Sequence, residues 1–247
     1  MSYSLYVFLG LAPSFVWLLF YLRKDSRPEP KRMVLKIFLW GALAGPMAIF
    51  LQLLIRWLCQ PSINWSQLLT AMASRDNFFF LNILLFAPLT EEFLKYAVVR
   101  WQVLKNPAFD EPLDAMIYLI ISALGFAAVE NLLNIFLLPN LTIGSALSQS
   151  LARFLSATFL HTLASGVLGY FLALSLFNLK RRHIILLSGF LFAAALHSFY
   201  NYLAWLFDKF KNFNLALAIT IFLLILAGLV LRQFRLLSKK SAVCKIE

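Results

Sequence analysis

At 247 residues, 62% hydrophobic and only 13% charged, the chain falls well short of the roughly 25% charged residues found in soluble domains. A formal net charge of +11 would suggest nucleic acid in a soluble protein, but here the excess sits in short loops between apolar runs, where it sets membrane topology. A cytosolic fold and a nucleic-acid partner are both excluded, and an all-α polytopic membrane bundle surrounded by lipid remains.

The first apolar run, Tyr3–Leu22, has no basic region before it and no small-residue cleavage site before Pro28, so it reads as a retained span and not as a removed signal peptide. Six further spans follow at residues 33–57, 78–101, 113–138, 150–177, 183–207 and 213–231, each near the roughly 20 residues that a hydrocarbon core of about 30 Å requires. Continuous apolar runs select helices over barrel strands, which are about 10 residues long and alternate in polarity. Residues 142–154 are mildly polar and are expected to lie partly along the interface before the fifth span. Short connections make 1–247 one integral membrane domain, with a basic tail from about 232 to 247.

Alternating the loops between two sides puts sixteen Lys and Arg on one side, among them Arg23, Lys24, Arg27, Arg181, Arg182, Arg232 and Lys239, and only Arg56, Arg75, Arg153, Lys209 and Lys211 on the other. That asymmetry predicts an outside N-terminus and a cytoplasmic C-terminus; the expected setting is a bacterial plasma membrane, with the protein multi-pass. Cys59 and Cys244 then fall on opposite sides and form no disulfide framework.

Ionisable residues inside spans are costly and mark function by default. The third span holds Glu91, Glu92 and Lys95, the fourth Glu130 with Asn131 and Asn134, the fifth His161, and the sixth His197 with Asn201. On the insertion scale three charges cost about 8–10 kcal/mol, close to what the apolar residues of the third span return. The charges must therefore be paired or hydrated inside the bundle. Lys95 is three residues from Glu92 and four from Glu91, so either carboxylate reaches it on one helical face. Pro88, just before them, frees a backbone carbonyl and kinks the span. Counted from the span ends, Glu91, Glu130, His161 and His197 lie at comparable depth, as a shared site requires. Gly166 and Gly169, on the fifth span with His161, let a neighbouring helix approach closely.

A buried carboxylate is a competent general base for water, and His or Asn N–H groups can stabilise an oxyanion. The same atoms can instead hold zinc, with Glu130, His161 and His197 as ligands. The residues alone leave these two chemistries open, along with a proton-coupled transporter and a scaffold in which the Glu–Lys pair fixes helix packing. There is no H-E-x-x-H helix, and Asp is absent from the middle of every span. A serine dyad of Ser165 with His197 lacks the glycine two residues before the serine.

Glu91-Glu92-Phe93-Leu94-Lys95 resembles the E-E-x-x-K signature of the PrsW family of intramembrane proteases, and Phe126-Ala127-Ala128-Val129-Glu130 resembles its F-x-x-x-E motif. His161 followed by Gly166, and His197-Ser198-Phe199-Tyr200-Asn201, are similar to its two His motifs. The related CAAX prenyl endopeptidases have Arg one residue later than Lys95 and His in place of Glu130. The resemblance implies a peptidase with Glu91 as general base, Glu92 and Lys95 as its charge partners, Glu130 and His161 assisting or binding metal, and His197 with Asn201 stabilising the oxyanion. It also implies a membrane-anchored protein substrate, such as an anti-sigma factor.

Overall fold

The computed structural model describes residues 3–24, 27–61, 64, 67 and 77–239. Arg75, Cys244 and the last part of the basic tail, 240–247, lie outside these. The helices are α1 (Tyr3–Leu22), α2 (Lys31–Cys59), α3 (Asn77–Leu81), a π segment (Asn82–Phe86), α4 (Ala87–Gln102), α5 (Asp114–Phe136), α6 (Ile143–Leu155), α7 (Ala157–Phe177), α8 (Arg182–Phe210) and α9 (Phe213–Leu237). No strand occurs among the described residues.

Six helical stretches among the described residues are long and apolar enough to cross a membrane. The expected third span is not one of them. It is broken into α3, the π segment and α4, because Pro88 at the start of α4 has no N–H to offer the carbonyls one turn before it. The wider π turn absorbs the mismatch, with Ala87 N–H reaching back to the Asn82 carbonyl. Helix α8 supplies the missing donors: Asn201 Nδ2 donates to the Ile83 carbonyl at 3.0 Å, and Ser198 Oγ to the Leu84 carbonyl at 2.6 Å. A backbone irregularity at membrane depth is tolerated because protein groups satisfy it.

The expected fifth span also divides. α6 is a separate helix, opened by a reciprocal Thr142–Ser145 capping box and ended by a break at Ser156, where φ is −125° and ψ −90°. At 1.5 Å per residue it is about 20 Å long, too short to cross the bilayer core alone. The final helix runs six residues past the predicted end, so Arg232 and Arg235 belong to it and not to a tail.

α5 is the hub of the bundle, and every residue from Asp114 to Ala128 is buried, as expected of a helix that is apolar all round. It packs on α1, α2, α4 and α7. Lipid is as apolar as a leucine side chain, so such packing depends on close van der Waals fit. Two crossings need glycine for that. A Cβ at Gly41 would lie 2.1 Å from the Ser122 carbonyl oxygen and one at Gly125 2.0 Å from that of Phe38, pinning α2 to α5; on α7, a Cβ at Gly169 would lie 2.6 Å from Met116 Cα. Gly125→Ala is accordingly expected to destabilise the bundle by about 1–3 kcal/mol, seen as earlier thermal unfolding in detergent, whereas Gly228→Ala, which meets nothing within 4 Å, should leave the transition in place.

Candidate active site

The π turn and the kink at Pro88 set the rotation of α4, so that Glu91, Glu92 and Lys95 face α5, α7 and α8. Glu92 and Lys95 are fully buried, and both find polar partners. Lys95 Nζ donates to Glu92 Oε1 at 2.8 Å and lies 2.9 Å from His161 Nδ1. It also sits 4.5 Å above the Phe126 ring, a favourable place for a desolvated cation. Glu92 Oε1 also faces His197 Nδ1 at 3.1 Å, while its Oε2 accepts from Ser165 Oγ at 2.8 Å. Ser165 is thus directed at a carboxylate and not at His197, which removes the serine-dyad arrangement.

These contacts assign the imidazole protons. An ammonium has only donors, so His161 Nδ1 accepts from Lys95, leaving its Nε2–H to donate to Glu130 Oε2 at 2.7 Å. His197 Nδ1 in turn donates to the Glu92 carboxylate, so that its Nε2 points to Glu91 Oε2 at 3.7 Å. A carboxylate behind a histidine fixes both ring orientation and basicity.

Glu130 is neutralised from a direction the loop count did not anticipate. Arg153, counted as an outer loop charge, lies near the end of α6 with Nη2 2.9 Å from Glu130 Oε2 and Nε donating to Asn131 Oδ1 at 2.5 Å. Asn131 is anchored by Thr158 Oγ1 at 3.0 Å. Asn134 turns to its own helix and donates to the Glu130 carbonyl at 2.8 Å.

The pairings Glu92–Lys95 and Glu130–Arg153 leave Glu91 as the odd carboxylate. Its Oε2 is 3.9 Å from Lys95 Nζ and 3.7 Å from His197 Nε2, too far for hydrogen bonds, and it is buried without a hydrogen-bond partner. It lines, together with Glu130, a cleft of about 160 Å³ between α2, α4 and α5, ample room for several waters.

The structure therefore brings together Glu91, Glu92, Lys95, Glu130, His161 and His197. Asn201 is not among them, since its amide is committed to the π-segment carbonyl. Asn201→Ala is expected to cost about 1–3 kcal/mol for the orphaned carbonyl, with substantial turnover left below the unfolding temperature; an oxyanion donor would instead lose about 10²–10³ in kcat. A thermal melt paired with a cleavage rate distinguishes the two.

The donor set for a cation also differs from the expected one. Glu91, His161 and His197 each offer an atom within 4.8 Å of the others; both His161 nitrogens are engaged, by Lys95 and Glu130, so His161 would have to give up one of these partners to ligate, while Glu130 is held by Arg153 and His161. Two imidazoles and one carboxylate suit zinc, and the unpartnered Glu91 Oε2 is the kind of atom a cation would satisfy.

A membrane-spanning helical bundle with clustered carboxylates and histidines, two of the carboxylates lining a cleft, has the layout of an enzyme that works within the bilayer. The family model described as PrsW family intramembrane metalloprotease matches residues 29–229. Protease PrsW of Geobacillus kaustophilus (strain HTA426) is 32% identical over 195 residues, covering 78% of this chain and 77% of that protein. Protease PrsW of Oceanobacillus iheyensis is 27% identical over 203 residues, covering 81% and 83%, and that of Bacillus subtilis (strain 168) 26% over 196 residues, covering 78% and 80%. No solved structure matches the chain. The chain belongs to the PrsW family, which supports a multi-pass membrane peptidase acting on protein.

Proposed function

We propose that the protein hydrolyses a peptide bond of a single-span membrane-anchored protein, such as an anti-sigma factor, with Glu91 as the group that activates water. The observation that carries this reading is the contrast among three carboxylates at one depth. Glu92 and Glu130 are each tied to a cation, whereas Glu91 keeps a buried oxygen without a hydrogen-bond partner on a cleft wall.

In this mechanism the scissile carbonyl enters the cleft beside a water held by Glu91. Glu91 takes one water proton as the water oxygen bonds to the carbonyl carbon, and the carbonyl π electrons move onto its oxygen. His197, oriented through Nδ1 by Glu92, brings its Nε2 to 3.7 Å from Glu91 Oε2, where a proton on that nitrogen would meet negative charge developing beside Glu91. The tetrahedral species collapses as the C–N bond breaks, and the leaving amine departs with the proton that Glu91 had taken. Lys95 and Glu92 are positioning groups, since neither is exposed to the cleft. A divalent cation, which Glu91 and His197 would hold together with His161 once His161 gave up Lys95 or Glu130, would polarise the carbonyl and acidify the water.

The loop charges support a C-terminus on the cytoplasmic side of a bacterial plasma membrane. The test is to incubate purified wild-type protein with a library of membrane-anchored reporters, with and without a chelator, and to measure bound metal by elemental analysis. Cleavage that vanishes with the chelator and returns with zinc assigns the cation; cleavage by a metal-free preparation assigns Glu91 alone. No cleavage of any reporter would refute the peptidase reading.

A further inference from the structure

The cleft's position follows from the way α2 and α5 cross. They are pinned where Gly41 and Gly125 bring backbone against backbone, and one turn further along α2 they part. At Gly45 a Cβ would have ordinary clearance, 3.4 Å to Val129, where at Gly41 it would meet carbonyl oxygen at 2.1 Å. Above Gly45 the gap becomes the cleft that Glu91 and Glu130 line, and its rim residues Ile49 and Leu133, 40% and 37% exposed, lie on the outer surface of the bundle. The gap thus opens sideways, toward lipid, between two spanning helices.

The wall of this slot carries a polar side chain, Gln52, that the catalytic mechanism does not use. Gln52 Oε1 accepts from Asn82 Nδ2 at 3.1 Å; Asn82 does not line the cleft itself, and its Oδ1 is buried with no hydrogen-bond partner. A peptide bond within a helix is shielded from attack, so a segment to be cut must be extended, and its N–H and C=O groups then need partners because lipid offers none. With its Oε1 anchored by Asn82, Gln52 keeps its amide N–H groups to offer to a carbonyl of an extended backbone. Glycine at 45 and alanine at 48 leave the backbone room to approach.

We infer that the α2–α5 gap is the lateral entrance for substrate, which admits an extended segment of a single-span protein, with Gly45 keeping the slot open and Gln52, oriented by Asn82, holding the segment's backbone next to Glu91. This rests on the peptidase reading and adds the route and the holding residues. Gln52 is a positioning residue, because it touches the chain beside the reacting bond and not the bond itself, and Asn82 acts through Gln52.

The test uses a photoreactive benzophenone amino acid placed singly at Ile49, at Leu133, or at Ile225 on α9, which is 69% exposed on another face. The probe is a biotinylated single-span Leu/Ala peptide with a Gly/Ser/Ala extension beyond the span, in detergent micelles. Labelling at Ile49 and Leu133 is expected to exceed that at Ile225 by about tenfold, and Gly45→Leu or Gln52→Leu in the same background to reduce it by about tenfold, equivalent to roughly 1.4 kcal/mol. Gln52→Leu should raise KM for the same peptide with kcat little changed. Equal labelling at all three positions, or labelling that neither substitution alters, overturns the proposal. Labelling at the rim by a wild-type protein that cuts nothing would overturn the peptidase reading and leave the entrance standing, whereas cleavage without rim labelling would do the reverse.

Discussion

Glu92→Ala is expected to destabilise the protein by about 3–5 kcal/mol, the loss that follows when one partner of a buried ion pair is removed. Lys95 would keep its charge with no exposure to solvent, and its contacts with His161 Nδ1 and the Phe126 ring are too weak to replace a carboxylate. Ser165 and His197 Nδ1 would lose the acceptor that holds them. The damage therefore spreads to α7 and α8 and is not confined to α4. The double variant Glu92→Leu with Lys95→Met removes both charges and should recover most of the stability, because an apolar replacement of a buried pair is often neutral or better. Cleavage should be lost in both, since His197 is no longer oriented. Thermal unfolding of the two variants in the same detergent, followed by intrinsic fluorescence, separates these effects. A double variant as unstable as the single one would mean that shape, and not charge, makes Glu92 necessary.

Glu91→Gln should behave in the opposite way. Glu91 Oε2 makes no hydrogen bond, and the nearest basic nitrogens, His197 Nε2 and Lys95 Nζ, are 3.7 and 3.9 Å away, so an isosteric neutral amide takes little from the fold. Loss of a general base is expected to lower kcat by about 10²–10⁴, with the melting transition unchanged and KM altered little. The pairing of intact fold with lost turnover is what distinguishes a catalytic carboxylate from a packing one. A fall in activity that tracks a fall in stability would place Glu91 with Glu92 as a structural group.

How much of this was legible in the sequence depended on whether a residue violates its apolar surroundings. Glu91, Glu92, Lys95, Glu130, His161 and His197 stand out in otherwise apolar spans, and the structure brings all six together. Pro88 announced a distortion, though not that a π turn would break the span or that Ser198 and Asn201 would repair it. The family resemblance links Asn201 to the oxyanion, whereas in the structure its amide at i+4 from His197 reaches the backbone that Pro88 leaves unsatisfied. Arg153 was misplaced. An apolar window joins α6 to α7 or cuts them by polarity, and it does not sense a break at Ser156 that turns an apparent loop charge toward Glu130. Gln52 and Asn82 are uncharged and gave no signal at all. Gly45 and Gly41 read alike in sequence, and only the angle between α2 and α5 makes one a contact and the other an opening.

The central claim is that the Glu91 cleft hydrolyses a peptide bond, and the most direct measurement follows the oxygen. Wild-type protein and Glu91→Gln, each reconstituted in lipid vesicles with a single-span reporter in ¹⁸O-water, would be analysed by mass spectrometry of the products. The wild-type chain should yield two fragments, with one ¹⁸O in the newly formed carboxylate, and Glu91→Gln should yield almost none at equal folded protein. An intact reporter with the wild-type chain, or labelled fragments in equal amount from both proteins, would contradict it.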